Sequence, residues 1–157
     1  MNLGKRIAPP LLVLVMALAS GCASKPSSAP PPAGIGSKAA DQALSMLGKP
    51  YRYGGNTPRG FDCSGLIQYS YLRAGVRLPR TTKSQRKHSR PVSLKKMRRG
   101  DLLFFNQEGK KSSHVGIYIG NHRFVHAPSS GKHVNIASLL NPYWRKHFAG
   151  ARRPDVH

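Results

Sequence analysis

The chain has 157 residues, 39% of them hydrophobic, and sets 26 Lys and Arg against 5 Asp and Glu, a formal net charge of +21. That length suits one compact domain with little to spare, and 16 Gly and 13 Pro without a three-residue period exclude a collagen-like chain. A field this positive draws any polyanion, so nucleic acid, acidic lipid head groups and anionic wall polymer all qualify on charge alone.

At the N-terminus, Lys5 and Arg6 precede an apolar run over residues 7–18 that ends in Ala19, Ser20 and Gly21 just before Cys22. This is the pattern of an export signal over 1–21. The run is too short for a bilayer core, which needs roughly 20 residues, and Pro9-Pro10 would break a spanning helix. The stretch Leu18-Ala19-Ser20-Gly21-Cys22 resembles the bacterial lipobox, which implies a diacylglyceryl group on the Cys22 sulfur and an anchor in a bilayer. Ala23 is not the Asp that retains lipoproteins at the inner membrane of enteric bacteria, so the expected address is the periplasmic face of an outer membrane. Residues 22–36 are rich in Ala, Ser and Pro and read as a tether, with a reach on the order of 40 Å at about 3.1 Å per residue. The folded domain is expected over 37–157.

A first helix is predicted from Ser37 as N-cap, with Ala40, Ala43, Leu44 and Leu47 on one face and Gly48 past its end. A second begins at Asp62-Cys63, carries Cys63, Ile67, Ser70 with Tyr71, and Ala74 at helical spacing, and stops at Gly75. From Asp101 the period becomes two. Residues 102–105, 115–119, 124–127 and 134–137 read as strands, so helices followed by an antiparallel sheet define an α+β arrangement.

A free Cys is most often a small buried hydrophobe, but three features set Cys63 apart. With Cys22 assigned to lipid it is an unpaired thiol in an exported chain, where such thiols are oxidised unless they have a use. It opens a helix, where backbone N–H groups and the macrodipole favour thiolate. It also sits in Gly60-Phe61-Asp62-Cys63-Ser64-Gly65, where Gly65 would let the helix approach a neighbouring sheet. The candidate bases, His114 and His126, flank a hairpin. If Gly120-Asn121-His122 is a three-residue loop, Ile119 pairs with Arg123, His126 falls opposite Gly116 and His114 lies diagonally on the same face, where Gly116 leaves room for one imidazole to orient the other. A two-residue loop would separate them. Two His and one Cys could also form an open zinc triad, but no nearby Glu offers a general base.

Tyr51-Arg52-Tyr53-Gly54-Gly55, Phe61-Asp62-Cys63-Ser64-Gly65-Leu66, Arg99-Gly100-Asp101-Leu102, His114-Val115-Gly116-Ile117-Tyr118-Ile119-Gly120 and Phe124-Val125-His126-Ala127 resemble, in this order, the successive blocks of the NlpC/p60 cell-wall peptidases. The resemblance covers residues 37–153 and is to the small lipoprotein murein endopeptidases of Gram-negative bacteria. It implies a papain-like α+β core, Cys63 as nucleophile, His114 as base, His126 as orienting residue and Tyr51 as an oxyanion donor beside the Cys63 backbone N–H. The implied substrate is peptidoglycan, cut at a peptide stem next to meso-diaminopimelate, with no cofactor or metal. Asp62 and Ser64 are candidates for gripping a substrate amine, although Asp62 serves equally well as the helix N-cap. Relatives that cut the γ-D-glutamyl to diaminopimelate bond often carry a wall-binding domain that closes over the stem, whereas a tether alone leaves an open groove. The D-alanyl to meso-diaminopimelate cross-link is therefore the favoured bond. A non-catalytic wall-binding lipoprotein would be expected to lose Cys63 or a His. The basic segment 80–99 suits anionic wall or lipid, whereas export and the lack of an aromatic-interleaved basic motif speak against nucleic acid. A monomer is expected.

Overall fold

The computed structural model describes residues 34–129 and 131–155. The expected export signal, Cys22 and the expected tether up to residue 33 lie outside the described residues.

Helix α1 (Ile35–Leu44) has its N-cap at Gly34, three residues before the expected Ser37, and no side-chain cap. Its first turn closes on a neighbouring loop: a Cβ on Gly36 would lie 3.1 Å from the Arg99 carbonyl oxygen. Ala39, Ala40 and Ala43 form the buried face. Leu47, expected on that face, is 40% exposed because the helix has already ended at Leu44. The chain turns at Gly48, whose φ of 79° suits glycine.

A two-stranded ribbon, β1 (Asn56–Thr57) and β2 (Gly60–Phe61), leads into α2 (Cys63–Arg73), which packs on α1. Asp62 caps α2 by accepting from Gly65 N at 2.7 Å. Gly65 does allow a close approach, but to a loop rather than to a sheet: a Cβ there would stand 1.9 Å from the Gly55 carbonyl oxygen. Helix α3 (Thr82–Lys87) follows, with Thr81 as N-cap.

The remaining elements are β3 (Ser89–Val92), a 3-10 turn (Leu94–Lys96), β4 (Leu102–Gln107), β5 (Lys110–Gly120), β6 (Arg123–His126), β7 (Asn135–Ser138), α4 (Pro142–His147) and β8 (Phe148–Pro154). Six strands form one antiparallel sheet in the order β3-β8-β4-β5-β6-β7. Leu102, Phe104, Val115, Ile117 and Val125 face α1 and α2, whereas Leu103, Phe105, Tyr118 and Phe124 face Trp144 of α4 and Phe148. The centre of the sheet is thus covered on both sides, which is why Leu102 to Phe105 is an uninterrupted apolar run rather than an alternating one. The α+β class read from the sequence is the observed one.

The β5–β6 hairpin reaches the expected register by another route. Asn121 and His122, with φ of 51° and 57°, form a two-residue turn, and Gly120 pairs with Arg123. A register shift between Tyr118 and Gly120 then restores pairing of Tyr118 with Phe124 and of Ile117 with Val125. The extra residue at this bulge reverses the parity that a two-residue turn alone would impose, so both imidazoles fall on one face.

Candidate active site

Three elements converge on the site. The first turn of α2 carries Cys63, whose side chain packs partly buried against the main core. The adjacent strand β5 supplies the Val115 backbone N–H as a hydrogen-bond donor toward the sulfur, one residue beyond His114. The third element is α3, where Thr82 Oγ1 lies 3.7 Å from Cys63 Sγ.

His114 and His126 are both buried, and His114 Nε2 lies 2.9 Å from His126 Nδ1. With Nε2 engaged, Nδ1 of His114 is the ring nitrogen left for proton transfer. His126 pairs in register with Asn135 on β7. The glycine between the two imidazoles makes room for something else: a Cβ on Gly116 would meet Phe124 Cδ2 at 2.5 Å, so the ring it accommodates is Phe124 rather than an imidazole.

A residue that the sequence reading passed over, Trp144, closes this face. Its ring stacks on His114 with centroids 5.6 Å apart and meets His126 edge-on at 4.7 Å. Trp144 is the chain's one tryptophan, and it is presented by a short helix with Asn141 as cap and Pro142 in its first turn, a start signal legible in sequence.

The electrostatics favour neutral partners. Burial pushes the Cys63 thiol up, against hydrogen bonds from Thr82 and from the Val115 and Ser64 backbone that pull it down. Burial pulls both imidazoles below their ordinary value, reinforced at His114 by His126; at His126 the Asn135 side chain works the other way. Burial thus works against the charged form of each group, whereas a helix N-terminus alone would favour thiolate.

Asp62 is the most heavily engaged group. Besides capping α2 it accepts from Gly54 N at 3.1 Å and forms an ion pair with Arg80 at 2.6 Å. Arg80 Nη1 also donates to Ser64 Oγ at 3.0 Å, and Gln85 Nε2 donates to the Ser64 carbonyl at 2.9 Å. The segment from Arg80 to Gln85 therefore holds the residues before, at and after the thiol. Tyr51 is held by its backbone, which donates to the Lys132 carbonyl at 2.8 Å and bridges to Phe61. Burial, then the charges of Cys63 and Asp62, push its hydroxyl up, so it keeps its proton and remains a donor. Among the described residues no group of three or more His, Cys, Asp and Glu is placed to hold a metal ion.

A thiol at the start of a helix, packed on an antiparallel sheet that presents a hydrogen-bonded pair of histidines, defines a papain-like α+β protein of the Cys/His type. The chain belongs to the NlpC/P60 family, whose model matches residues 48–153. It is 42% identical over 121 residues to the murein DD-endopeptidase MepH of Escherichia coli, covering 73% of this chain and 44% of that one. It is 44% identical over 115 residues to the bifunctional muramidase/DL-endopeptidase CwlT of Bacillus subtilis, covering 71% and 34%. The chain thus spans less than half the length of these two relatives. A crystal structure of an NLP/P60 family protein from Staphylococcus aureus superimposes with a TM-score of 0.69 at 38% identity, covering 78% of this chain and 42% of that one.

Proposed function

We propose that the protein is a cysteine endopeptidase that hydrolyses amide bonds in the peptide stems of peptidoglycan. The observation that carries this is the meeting of the Cys63 thiol with β5 beside His114, whose far nitrogen is bonded to His126. As the Cys63 sulfur attacks the amide carbonyl carbon, its proton passes to Nδ1 of His114. The imidazolium then protonates the leaving amine and the C–N bond breaks, leaving a thioester on Cys63. A water molecule gives a proton to His114 and attacks the thioester. The acid is released, and the proton returns to sulfur. His126 steadies the imidazolium, and the Cys63 backbone N–H with the Tyr51 hydroxyl stabilises the oxyanion. Asp62 and Ser64, at present bonded to Arg80, are the groups read here as holding a substrate amine.

The favoured bond is the D-alanyl to meso-diaminopimelate cross-link, supported by the similarity to a murein DD-endopeptidase. The rival, a bond of the γ-D-glutamyl to diaminopimelate type, draws support from the similarity to a DL-endopeptidase. A purified cross-linked dimer and an uncross-linked tripeptide stem separate them: the dimer is expected to be cut faster, and a cut tripeptide with an untouched dimer overturns the choice. Cys63→Ala or His114→Ala is expected to abolish hydrolysis, whereas His126→Ala lowers the rate strongly and leaves a remnant. The protein acts from the periplasmic face of the outer membrane, held by lipid on Cys22. Mass spectrometry of the mature N-terminal peptide is expected to find an acylated Cys22; an unmodified peptide that starts elsewhere contradicts it.

A further inference from the structure

Between α3, the tip of the β4–β5 hairpin and β8 lies a cavity of about 420 Å³ lined by Lys83, Arg86, Asn106, Lys111, Ser112 and Ala149. Three of its six lining residues are cations, and among the described residues no carboxylate lines it. Three of the chain's five acidic residues are already committed elsewhere: Asp62 to Arg80, Asp41 to Arg99 and Asp101 to Arg153. The Arg86 guanidinium lies over the Phe104 ring, 5.4 Å from its centroid, and its Nη1 is buried without a hydrogen-bond partner among the described residues. Burial and the charge of neighbouring Arg152 disfavour the Arg86 cation. Arg152 is itself spent on the Ser89 carbonyl and hydroxyl. Nη1 is sealed from the cavity, so the rest of the Arg86 guanidinium and the ammonium groups of Lys83 and Lys111 are the donors open to an oxyanion there.

The cavity's position ties it to the chemistry. Lys83 follows Thr82, whose hydroxyl touches the thiol, and Ser112 precedes His114 by two residues. We propose that this cavity is an oxyanion subsite that receives a carboxylate of the substrate stem through Arg86, Lys83 and Lys111, with the Ser112 hydroxyl as a further donor. The assignment rests on the peptidase reading above. It also gives part of the basic segment a use beyond solvation.

The test uses the full chain carrying Cys63→Ala, so that bound stems are not cut. Inorganic phosphate, as a minimal probe, is expected to shift the Arg86 Nε–H and the Lys83, Lys111 and Ser112 amide resonances saturably. A cross-linked muropeptide dimer with free carboxyls is expected to bind about tenfold more tightly than the same dimer with its carboxyls amidated. Most of that difference should be lost in Lys83→Ala/Lys111→Ala, which leaves Arg86 as the one remaining cation of the site, and an undiminished difference overturns the assignment. If phosphate moves none of these resonances, the anion site is wrong. Phosphate binding with equal affinity for the two dimers overturns the substrate assignment. If phosphate binds and neither dimer does, the substrate assignment falls and the peptidoglycan reading falls with it.

Discussion

Burial acts on Cys63 and on His114 in opposite directions, raising the thiol and lowering the imidazole, so both resist taking up charge. Alkylation by iodoacetamide reports the thiolate fraction directly, so its rate should climb steadily from about pH 6 to about pH 9. A plateau below about pH 7 would reveal a preformed ion pair and contradict the account. The Thr82 hydroxyl, 3.7 Å from the sulfur, steadies the thiolate as it forms. Thr82→Val should therefore shift that alkylation profile to higher pH while Thr82→Ser restores it, an outcome that a merely packing threonine would not give. Gly116 illustrates a different constraint. The Phe124 ring stands 2.5 Å from where a Cβ would sit, so Gly116→Ala should cost about 1–3 kcal/mol, measured by denaturant unfolding.

The start of α2 depends on Asp62, which caps the helix and neutralises Arg80 at 2.6 Å. Asp62→Ala should lose about 0.5–2 kcal/mol for the cap alone, and the Arg80 guanidinium, one third exposed, adds little because water screens it. Urea midpoints check this. An undiminished midpoint would mean that α2 is fixed by its packing on α1 and not by its cap. The helix was legible because Asp62, the apolar spacing and Gly75 all agree. The same holds for β4, β5 and β6, whose apolar runs are long. Strands β3 and β8 were not legible: Ser89-Arg90-Pro91-Val92 and Ala149-Gly150-Ala151-Arg152-Arg153 lack an apolar period, and β8 becomes a strand because it pairs with both β4 and β3, and β3 because it pairs with β8. The hairpin register was legible in its result and not in its mechanism. A bulge between Tyr118 and Gly120 is set by the turn's backbone and leaves no mark on hydropathy. At the site, Cys63, His114 and His126 were marked by residue chemistry. Thr82, Arg80 and Trp144 are ordinary residues until the fold brings them to the thiol and the imidazoles.

For the molecule as a whole, the two buried histidines link stability to pH. Both are held below the ordinary value of about 6.5, so below that pH the unfolded chain binds protons that the native state refuses. Stability from this source is full above about pH 6.5 and is lost as pH falls toward the depressed native values. Denaturant melts from pH 7 downward should show that loss, and it should be smaller in His114→Gln/His126→Gln; an equal loss would place the acid lability elsewhere. The net charge of +21 acts on encounter rather than on fold, so capture of an anionic polymer should weaken with added salt. The central claim, that this Cys/His/His site cuts peptide stems, is tested most directly by incubating the full chain with intact sacculi and identifying the released fragments by mass spectrometry. The account predicts muropeptides newly cut at an amide next to diaminopimelate, with none released by Cys63→Ala. Sacculi left whole by the unaltered chain, or cut equally by Cys63→Ala, would contradict it.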